Sequence, residues 1–170
     1  MGKIRLKIKS IRANNRKREF VVQTDTGLKF PFPYSKADPQ PRPKDRLVEV
    51  FVDSELGNEA FTYFLESGAE GAVHIDHILE YNEEPGHMAD LLLHKLTVEA
   101  AECIERSSLS RRHLAGQLNT SVPQLYRLLD PANYKKSMKQ LVALLHLMDC
   151  EVDLVIKKEK PPKQRLQKMR

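Results

Sequence analysis

The sequence predicts an α+β protein in which a small N-terminal sheet domain with one short helix is followed by an all-α domain that ends in a β-strand. Three observations predict this. Apolar side chains alternate with charged ones in much of the first 80 residues, which is the period of a half-buried strand. From Met88 onward the apolar spacing becomes three and four, the period of an amphipathic helix. Turn-forming residues at 82–86 separate the patterns and place the domains at 1–84 and 88–157.

Four segments before residue 55 have the alternation or composition of strands: 3–9, 19–24, 28–34 and 47–52. Gly27 ends a short hairpin turn between the second and the third of them. Pro31 and Pro33 cannot donate to a ladder, so the third strand is predicted at a sheet edge. The fourth is apolar on both faces except for Glu49, which predicts a more buried strand.

A short helix is predicted after the fourth strand. Asn58 is a suitable N-cap, the apolar residues 60, 61, 64 and 65 lie on one helical face, and Gly68 is suited to end the helix. Residues 72–80 then read as another strand. The patterns do not determine how the strands are ordered in a sheet.

The second half reads as helices followed by one strand. A helix begins at Met88, and three shorter helical segments follow. Their predicted ranges are 111–118, 122–129 and 137–148. Alternation at 152–156 predicts a terminal strand, and the Lys/Arg-rich residues 158–170 predict a disordered basic tail.

Charge is distributed unevenly along the chain. The formal net charge is +5, but residues 1–46 carry +9 (13 Lys/Arg, 4 Asp/Glu), residues 47–90 carry −11 (no Lys/Arg, 11 Asp/Glu) and residues 91–170 carry +7 (15 Lys/Arg, 8 Asp/Glu). An acidic middle segment thus lies between two basic terminal segments. The acidic segment suits the binding of a basic partner, and the basic segments suit the binding of an anionic partner.

Several protein classes are excluded. No apolar run approaches the length of a membrane span, and the first residues lack the apolar core of a signal peptide, so we expect a cytoplasmic protein without membrane contact. Cys103 and Cys150 have no CxxC spacing, which favours two small buried side chains over a disulfide framework or a zinc finger.

No catalytic or cofactor motif is present. The chain lacks GxSxG, P-loop, GxGxxG and HExxH patterns, so we expect neither an enzyme nor a cofactor. His74 and His77 flank Asp76, but on a strand the two histidines point to opposite faces, which is poor geometry for one ion. We therefore predict no metal site.

The most informative segment is 109–129, where two helices of about eight residues are joined by a turn of about three residues. This spacing is that of a helix-turn-helix. Ala115 is small where the helices approach, and Asn119 tolerates the positive φ that the turn needs. Ser121 and Gln124 have the spacing of a capping box at the second helix. Leucines at 114, 118, 125 and 128 are placed to share a core.

Residues 95–157 resemble the lambda-repressor-like (XRE-type) helix-turn-helix family in the pattern Leu-Ser-x-x-x-Leu-Ala-x-x-Leu-x-x-Ser. The segment 127–133, the leucine-rich helix after it and the terminal strand are similar to the C-terminal domains of HicB-type antitoxins. Asn119 stands where the family most often has glycine. The N-terminal domain resembles no family that we can name.

The resemblance implies that the second helix reads the DNA major groove. Its implied DNA-binding residues are Arg111, Arg112, Ser121, Pro123, Gln124, Tyr126, Arg127, Lys135 and Lys136. Arg127 would contact guanine and Gln124 adenine, while the lysines and the other arginines would hold phosphates. Alternatives remain at this stage. Arg127 could instead form an ion pair with Asp130, and Gln124 could serve only to cap the helix. Lys135 and Lys136 could lie in a solvated loop, and Tyr126 could be half-buried by packing.

The sequence therefore predicts a transcriptional regulator, acting as a repressor, that binds double-stranded DNA sequence-specifically as a homodimer. The alternative is an antitoxin-like protein whose N-terminal domain binds a basic partner protein through the acidic stretch 47–90, while its C-terminal domain autoregulates.

Overall fold

The computed structural model describes residues 6–157, and the described chain divides into two compact units after His87. The first residues of the predicted strand 3–9 and the predicted tail 158–170 lie outside the described residues.

The first unit contains six strands in two antiparallel sheets of three. The first sheet has the order β1 (Ile8–Asn14), β2 (Glu19–Thr24) and β3 (Lys29–Pro33), and the second has the order β4 (Leu47–Asp53), β5 (Ala60–Leu65) and β6 (Glu70–His74). A 3₁₀ turn at Tyr34–Lys36 follows β3, and helix α1 (Ile75–Tyr81) follows β6. The strand at 19–24 and the edge position of β3 are confirmed.

Aromatic side chains from both sheets form the core of this unit. The Phe20 ring centroid of β2 lies 4.8 Å from that of Phe61 and 5.2 Å from that of Tyr63, both on β5. Phe20, Phe61 and Tyr63 are fully buried. Such contacts between residues far apart in sequence stabilise the sheets as one packed unit.

The predicted fold class is wrong in its architecture, although the chain is α+β overall. Two three-stranded sheets replace the single small sheet, and the helix predicted after Asn58 is the central strand β5. Phe61, Tyr63 and Leu65 share the face of that strand that contributes to the hydrophobic core, so its alternation with period two overrides the apparent helical spacing. The strand predicted at 72–80 ends at His74, whose Nδ1 accepts a hydrogen bond from the Asp76 N–H and begins α1.

Strand β4 is also more exposed than predicted. It forms an edge of the second sheet, and 66% of Val48 and 39% of Phe51 are exposed. Its apolar outer residues therefore do not belong to a strand buried on both faces.

The second unit is helical. Its elements are α2 (Pro85–Arg106, whose first residues precede the division), α3 (Arg111–Gln117), α4 (Val122–Leu129) and α5 (Met138–Leu147). The expected terminal strand at 152–156 is wrong, because these residues pair with no strand in the described chain and Leu154 and Ile156 are about three-quarters exposed. No helix within residues 6–157 has the length and apolar content that crossing a membrane requires.

Candidate nucleic-acid interface

Helix α3, the turn after it and helix α4, here called the α3–α4 pair, are built by local hydrogen bonds. The Ser110 hydroxyl accepts a bond from the His113 N–H at 3.1 Å and begins α3. The helix ends at Gln117 with Leu118 as its C-cap, and Asn119 follows with φ of 51°. The Thr120 N–H donates to the Ala115 carbonyl at 2.9 Å and closes the end of the helix. The left-handed turn residue predicted at Asn119 is confirmed.

The second helix begins at a serine cap. The Ser121 hydroxyl accepts a hydrogen bond from the Gln124 N–H at 3.4 Å, and Pro123 lies in the first turn, where no backbone donor is needed. The Gln124 side chain makes no hydrogen bond to the residues that the structure describes. The capping role therefore uses only its backbone, and the amide is free to bind a ligand.

A leucine-rich core fixes the angle between the two helices. Leu114 and Ala115 of α3 and Leu125 and Leu128 of α4 are buried, as the sequence predicts. They belong to one cluster with residues of α2 and α5, namely Ala100, Ile104, Leu141, Leu144 and Leu145. Because this face of α4 is buried, its other residues point to solvent.

The solvent-facing side of α4 borders an open cleft of about 650 Å³. Four predicted site residues line it together: Gln124, Arg127, Lys135 and Lys136. Neutral hydrogen-bonding groups come from Thr120, Asn133, Ser137 and Gln140, and Asp130 adds one negative charge against the three positive charges of the lining. A surface with this donor content can bind a polyanion.

Arg127 is exposed, and its backbone is held by the loop after α4. The Asn133 side-chain amide donates to the Arg127 carbonyl at 3.0 Å. Within residues 6–157 no ion pair joins Arg127 to Asp130, whose carboxylate instead accepts a bond from the Ala132 N–H at 2.9 Å. The guanidinium thus forms no ion pair in the described chain, although Asp130 lines the same cleft.

The two lysines of the loop have different environments. Lys135 is exposed. The Lys136 ammonium donates to the Thr97 hydroxyl at 2.8 Å and to the Asp130 carbonyl, and burial lowers the pKa of Lys136 below its ordinary value. Lys136 therefore ties the loop to α2, and a phosphate contact would compete with those two bonds.

Arg111 and Tyr126 do not line this cleft. The Arg111 guanidinium carbon lies 5.6 Å from the centroid of the Tyr126 ring, which is the geometry of a cation–π contact between α3 and α4. Tyr126 is 54% exposed, so it is not packed in the core. Arg112 and Pro123 are exposed without lining the cleft.

Sequence reasoning missed the contribution of the start of α5. The Ser137 hydroxyl accepts from the Gln140 N–H at 3.3 Å and caps the helix, and both residues line the cleft. The signal was present, since Ser137 and Gln140 repeat the spacing of Ser121 and Gln124. Asn133, at the end of the segment 127–133, was not predicted to have a role of its own, yet its side-chain amide positions the loop.

The two cysteines, expected to be separate buried side chains, lie next to each other. The Cys103 and Cys150 sulfur atoms are 2.9 Å apart, and both residues are partly exposed. The hydrogen bond with Cys150, together with burial, raises the pKa of Cys103 to about 11. These thiols line a different cleft, together with Arg106.

Histidines and carboxylates meet near α1. His87 Nε2 lies 3.6 Å from Glu80 Oε1, and His87 Nδ1 lies 3.8 Å from Asp76 Oδ1. His74 contacts the same Asp76 at 3.4 Å, whereas His77 is exposed. Residues 6–157 contain no group of three such side chains arranged to hold a metal ion.

Comparisons with protein-family models, with curated proteins and with solved structures give no match for this chain. The function must therefore be argued from the chain's own residues.

Proposed function

We propose that this protein is a transcriptional regulator, acting as a repressor, that binds double-stranded DNA sequence-specifically through the α3–α4 pair, with α4 in the major groove. The observation that carries the proposal is the exposed face of α4. Gln124 and Arg127 project there with no intramolecular partner for either side chain among the described residues, beside a cleft that Lys135 also lines. A helix with a free amide in its first turn and a free guanidinium in its last turn carries groups that can read base edges.

The roles of the residues follow from their placement. Arg127 has a fork of donors that matches guanine, and Gln124 matches adenine; each good pair contributes about 1–3 kcal/mol of discrimination between bases. Lys135 and Arg112 are exposed cations on either side of α4 in the sequence and would bind phosphates. Ser121 would position the start of α4, and the Arg111–Tyr126 contact would orient the arginine that reaches the backbone.

A homodimer is part of the proposal, because one helix of eight residues contacts too few base pairs for useful specificity. Two half-sites about 10 base pairs apart would place both α4 helices on one face of the duplex. Light scattering after size exclusion measures the mass of the free protein. Footprints on the selected DNA show whether two half-sites are present, and a single half-site bound by a monomer would refute this part.

The binding experiment begins by selecting duplexes from a pool of genomic fragments with the full chain. Fluorescence anisotropy then measures the affinity of variants over a range of salt concentrations. Arg127→Ala is expected to lose about 1–3 kcal/mol of binding free energy and to relax the base preference at one position of the DNA site. Lys135→Ala is expected to weaken binding to all DNA sequences alike and to reduce the slope of log affinity against log salt concentration by about one.

Arg106→Ala is the matched control. It removes one exposed positive charge from the same unit, but Arg106 pairs with Glu102 at 2.9 Å and lines the cleft of the cysteines. This variant should bind DNA as the unchanged protein does. If Arg127→Ala and Lys135→Ala together leave binding unaltered, or if Arg106→Ala weakens it as much, α4 does not read the groove.

A second candidate function is an antitoxin-like interaction, favoured by the outer face of the second sheet. The rings of Phe51 and Phe64 stack there with centroids 6.2 Å apart, and Phe51 is 39% exposed. Glu49 and Asp53 point to the same side of β4, and no lysine or arginine occurs between residues 47 and 90. An aromatic patch with acidic neighbours suits a small basic protein.

The test of this candidate uses the product of a toxin-sized reading frame beside the gene. That product should co-purify with the full chain, and Phe51→Lys should abolish the complex. Leu56→Lys is the control, since Leu56 is exposed in the turn after β4 and lies outside the sheet face. A complex that survives Phe51→Lys, or the lack of such a reading frame, would exclude the antitoxin role.

A further inference from the structure

A second cationic cleft, of about 360 Å³, lies in the first unit, away from any predicted site residue. It is formed by the turn between β1 and β2 and by the proline-rich loop before β4. Three arginines line it, namely Arg18, Arg42 and Arg46, together with Asn15, Tyr34 and Leu47. The backbone of Arg18 has φ of 54°, a conformation that a non-glycine residue adopts only when its surroundings hold it.

None of the three guanidiniums forms an ion pair in the described part of the chain, and the nearby Glu66 carboxylate accepts a hydrogen bond from the backbone N–H of Arg46 at 3.3 Å. Arg18 Nη2 donates to the Pro41 carbonyl at 3.2 Å, and Arg46 Nε donates to the Pro43 carbonyl at 3.4 Å. Each of these guanidiniums uses one of its five N–H donors, and the Arg42 side chain uses none within residues 6–157. Mutual repulsion of three cations is relieved when an anion binds among them.

The loop that carries Arg42 is held in place before any ligand binds. The Tyr63 hydroxyl donates to the Pro39 carbonyl at 2.6 Å. The Asp45 carboxylate accepts bonds from both the backbone and the hydroxyl of Ser67, each at 2.9 Å. Prolines at alternate positions restrict the loop further. A loop with so little freedom loses little entropy when it binds, which favours a dedicated site over a mobile charged surface.

The lining of the cleft combines polar and apolar groups. The buried Tyr34 hydroxyl donates to Asn15 Oδ1 at 2.8 Å, which leaves the Asn15 amide as a further donor. Pro41, Pro43 and Leu47 supply apolar surface on the same lining. A ligand that fits combines a multiply charged oxyanion with a ring or another apolar group.

We propose that the cleft of Arg18, Arg42 and Arg46 binds the phosphate group of a small phosphomonoester, with a nucleoside monophosphate as the fitting chemical class. A phosphomonoester carries up to two negative charges at neutral pH, whereas each phosphodiester of a nucleic acid carries one. Three arginines around one concave site match a terminal phosphate better than an extended backbone, whose contacts would lie in a row. The inference stands apart from the α3–α4 pair.

The experiment titrates the full chain calorimetrically with adenosine 5′-monophosphate, inorganic phosphate and adenosine. The monophosphate should bind, phosphate should bind more weakly, and adenosine should not bind. Arg42→Gln should raise the Kd of the monophosphate at least about tenfold, the effect of one lost charge-assisted contact. Lys44→Gln removes the same charge from the same loop but outside the lining, so it should change the Kd less than about twofold.

Several results would overturn the proposal. If adenosine bound as tightly as its monophosphate, the phosphate group would not be what the cleft recognises. If inorganic phosphate and the monophosphate had equal affinity, the cleft would be a site for the free ion. Equal losses in Arg42→Gln and Lys44→Gln would mean that only the overall charge matters. A DNA duplex that binds through Arg42 when the monophosphate does not would make the cleft a nucleic-acid contact. Arg127→Ala should leave monophosphate binding unchanged, so the two sites fail or succeed separately.

Discussion

Replacing Thr97 by valine tests whether a buried polar contact holds the loop that follows α4. Thr97 is fully buried in α2, and its hydroxyl donates to the Leu93 carbonyl at 2.7 Å. The same hydroxyl accepts a bond from the Lys136 ammonium at 2.8 Å. Valine has nearly the same shape, so Thr97→Val removes the two hydrogen bonds without creating a cavity.

The size of the destabilisation expected in Thr97→Val follows from the hydrogen-bond partners of Thr97. A hydrogen bond to a charged group contributes about 1.5–3 kcal/mol, and the lower end applies because Lys136 is only partly buried and keeps the Asp130 carbonyl. Thr97→Val should therefore destabilise the second unit by about 1.5 kcal/mol. Lys136→Met should cost less, because removing the ammonium also removes the desolvation that lowers its pKa. The destabilisation of the double variant should differ by about 1 kcal/mol from the sum of the two single variants, which measures the coupling between Thr97 and Lys136.

The pH dependence has a definite sign. The pKa of Lys136 is lower in the folded protein than the ordinary 10.5, so the unfolded chain binds more protons between the two values. The free energy of unfolding should therefore rise as the pH increases through that interval. Lys136→Met should remove this rise.

Amide hydrogen exchange of the full chain, read from peptides of α2 and α3, measures the stability of the second unit separately from the first. Thr120→Val is the control, because the Thr120 side chain makes no hydrogen bond within residues 6–157, and it should cost less than about 0.5 kcal/mol. Additive effects of Thr97→Val and Lys136→Met, or equal losses in the control, would refute the contact.

Three further predictions concern single positions. Gly71→Ala should destabilise the first unit by about 1–3 kcal/mol in thermal unfolding, because a Cβ there would lie 2.3 Å from the ring of the buried Tyr63; an unchanged midpoint would contradict the packing. Cys150→Ala should lower the pKa of Cys103 from about 11 and speed its alkylation by iodoacetamide at pH 8.5, whereas a slower reaction would show that the Cys150 thiol does not raise it. Asn119→Ala should cost about 1 kcal/mol of stability at its positive φ while Asn119→Gly should not, and equal losses in urea unfolding would count against the strained turn.

The α3–α4 pair was predictable because its determinants are local. The range of α4, the cap at Ser121 and the turn at Asn119 all follow from contacts a few residues apart. Helical periodicity and capping chemistry act over one or two turns, so a sequence records them directly. The exposed Gln124 and Arg127 follow from the same period.

The first unit was predicted less well because its determinants are distant. Residues 60–65 fit a helical stripe and a strand equally in isolation, and the pairing of β5 with both β4 and β6 makes them a strand. Which side chains of β4 are exposed depends on what packs against the sheet and not on the composition of the strand itself.

By itself, the sequence determined the helix at 122–129, the helix predicted at 111–118 to within one residue, the turn between them and the division of charge along the chain. Tertiary structure alone decided which distant groups meet. It brought Lys136 to Thr97, Cys103 to Cys150, and Arg18 to the loop of Arg42 and Arg46. The physical reason is that hydrogen bonds within a helix or its cap have a fixed sequence spacing, whereas a cleft between separate elements has none.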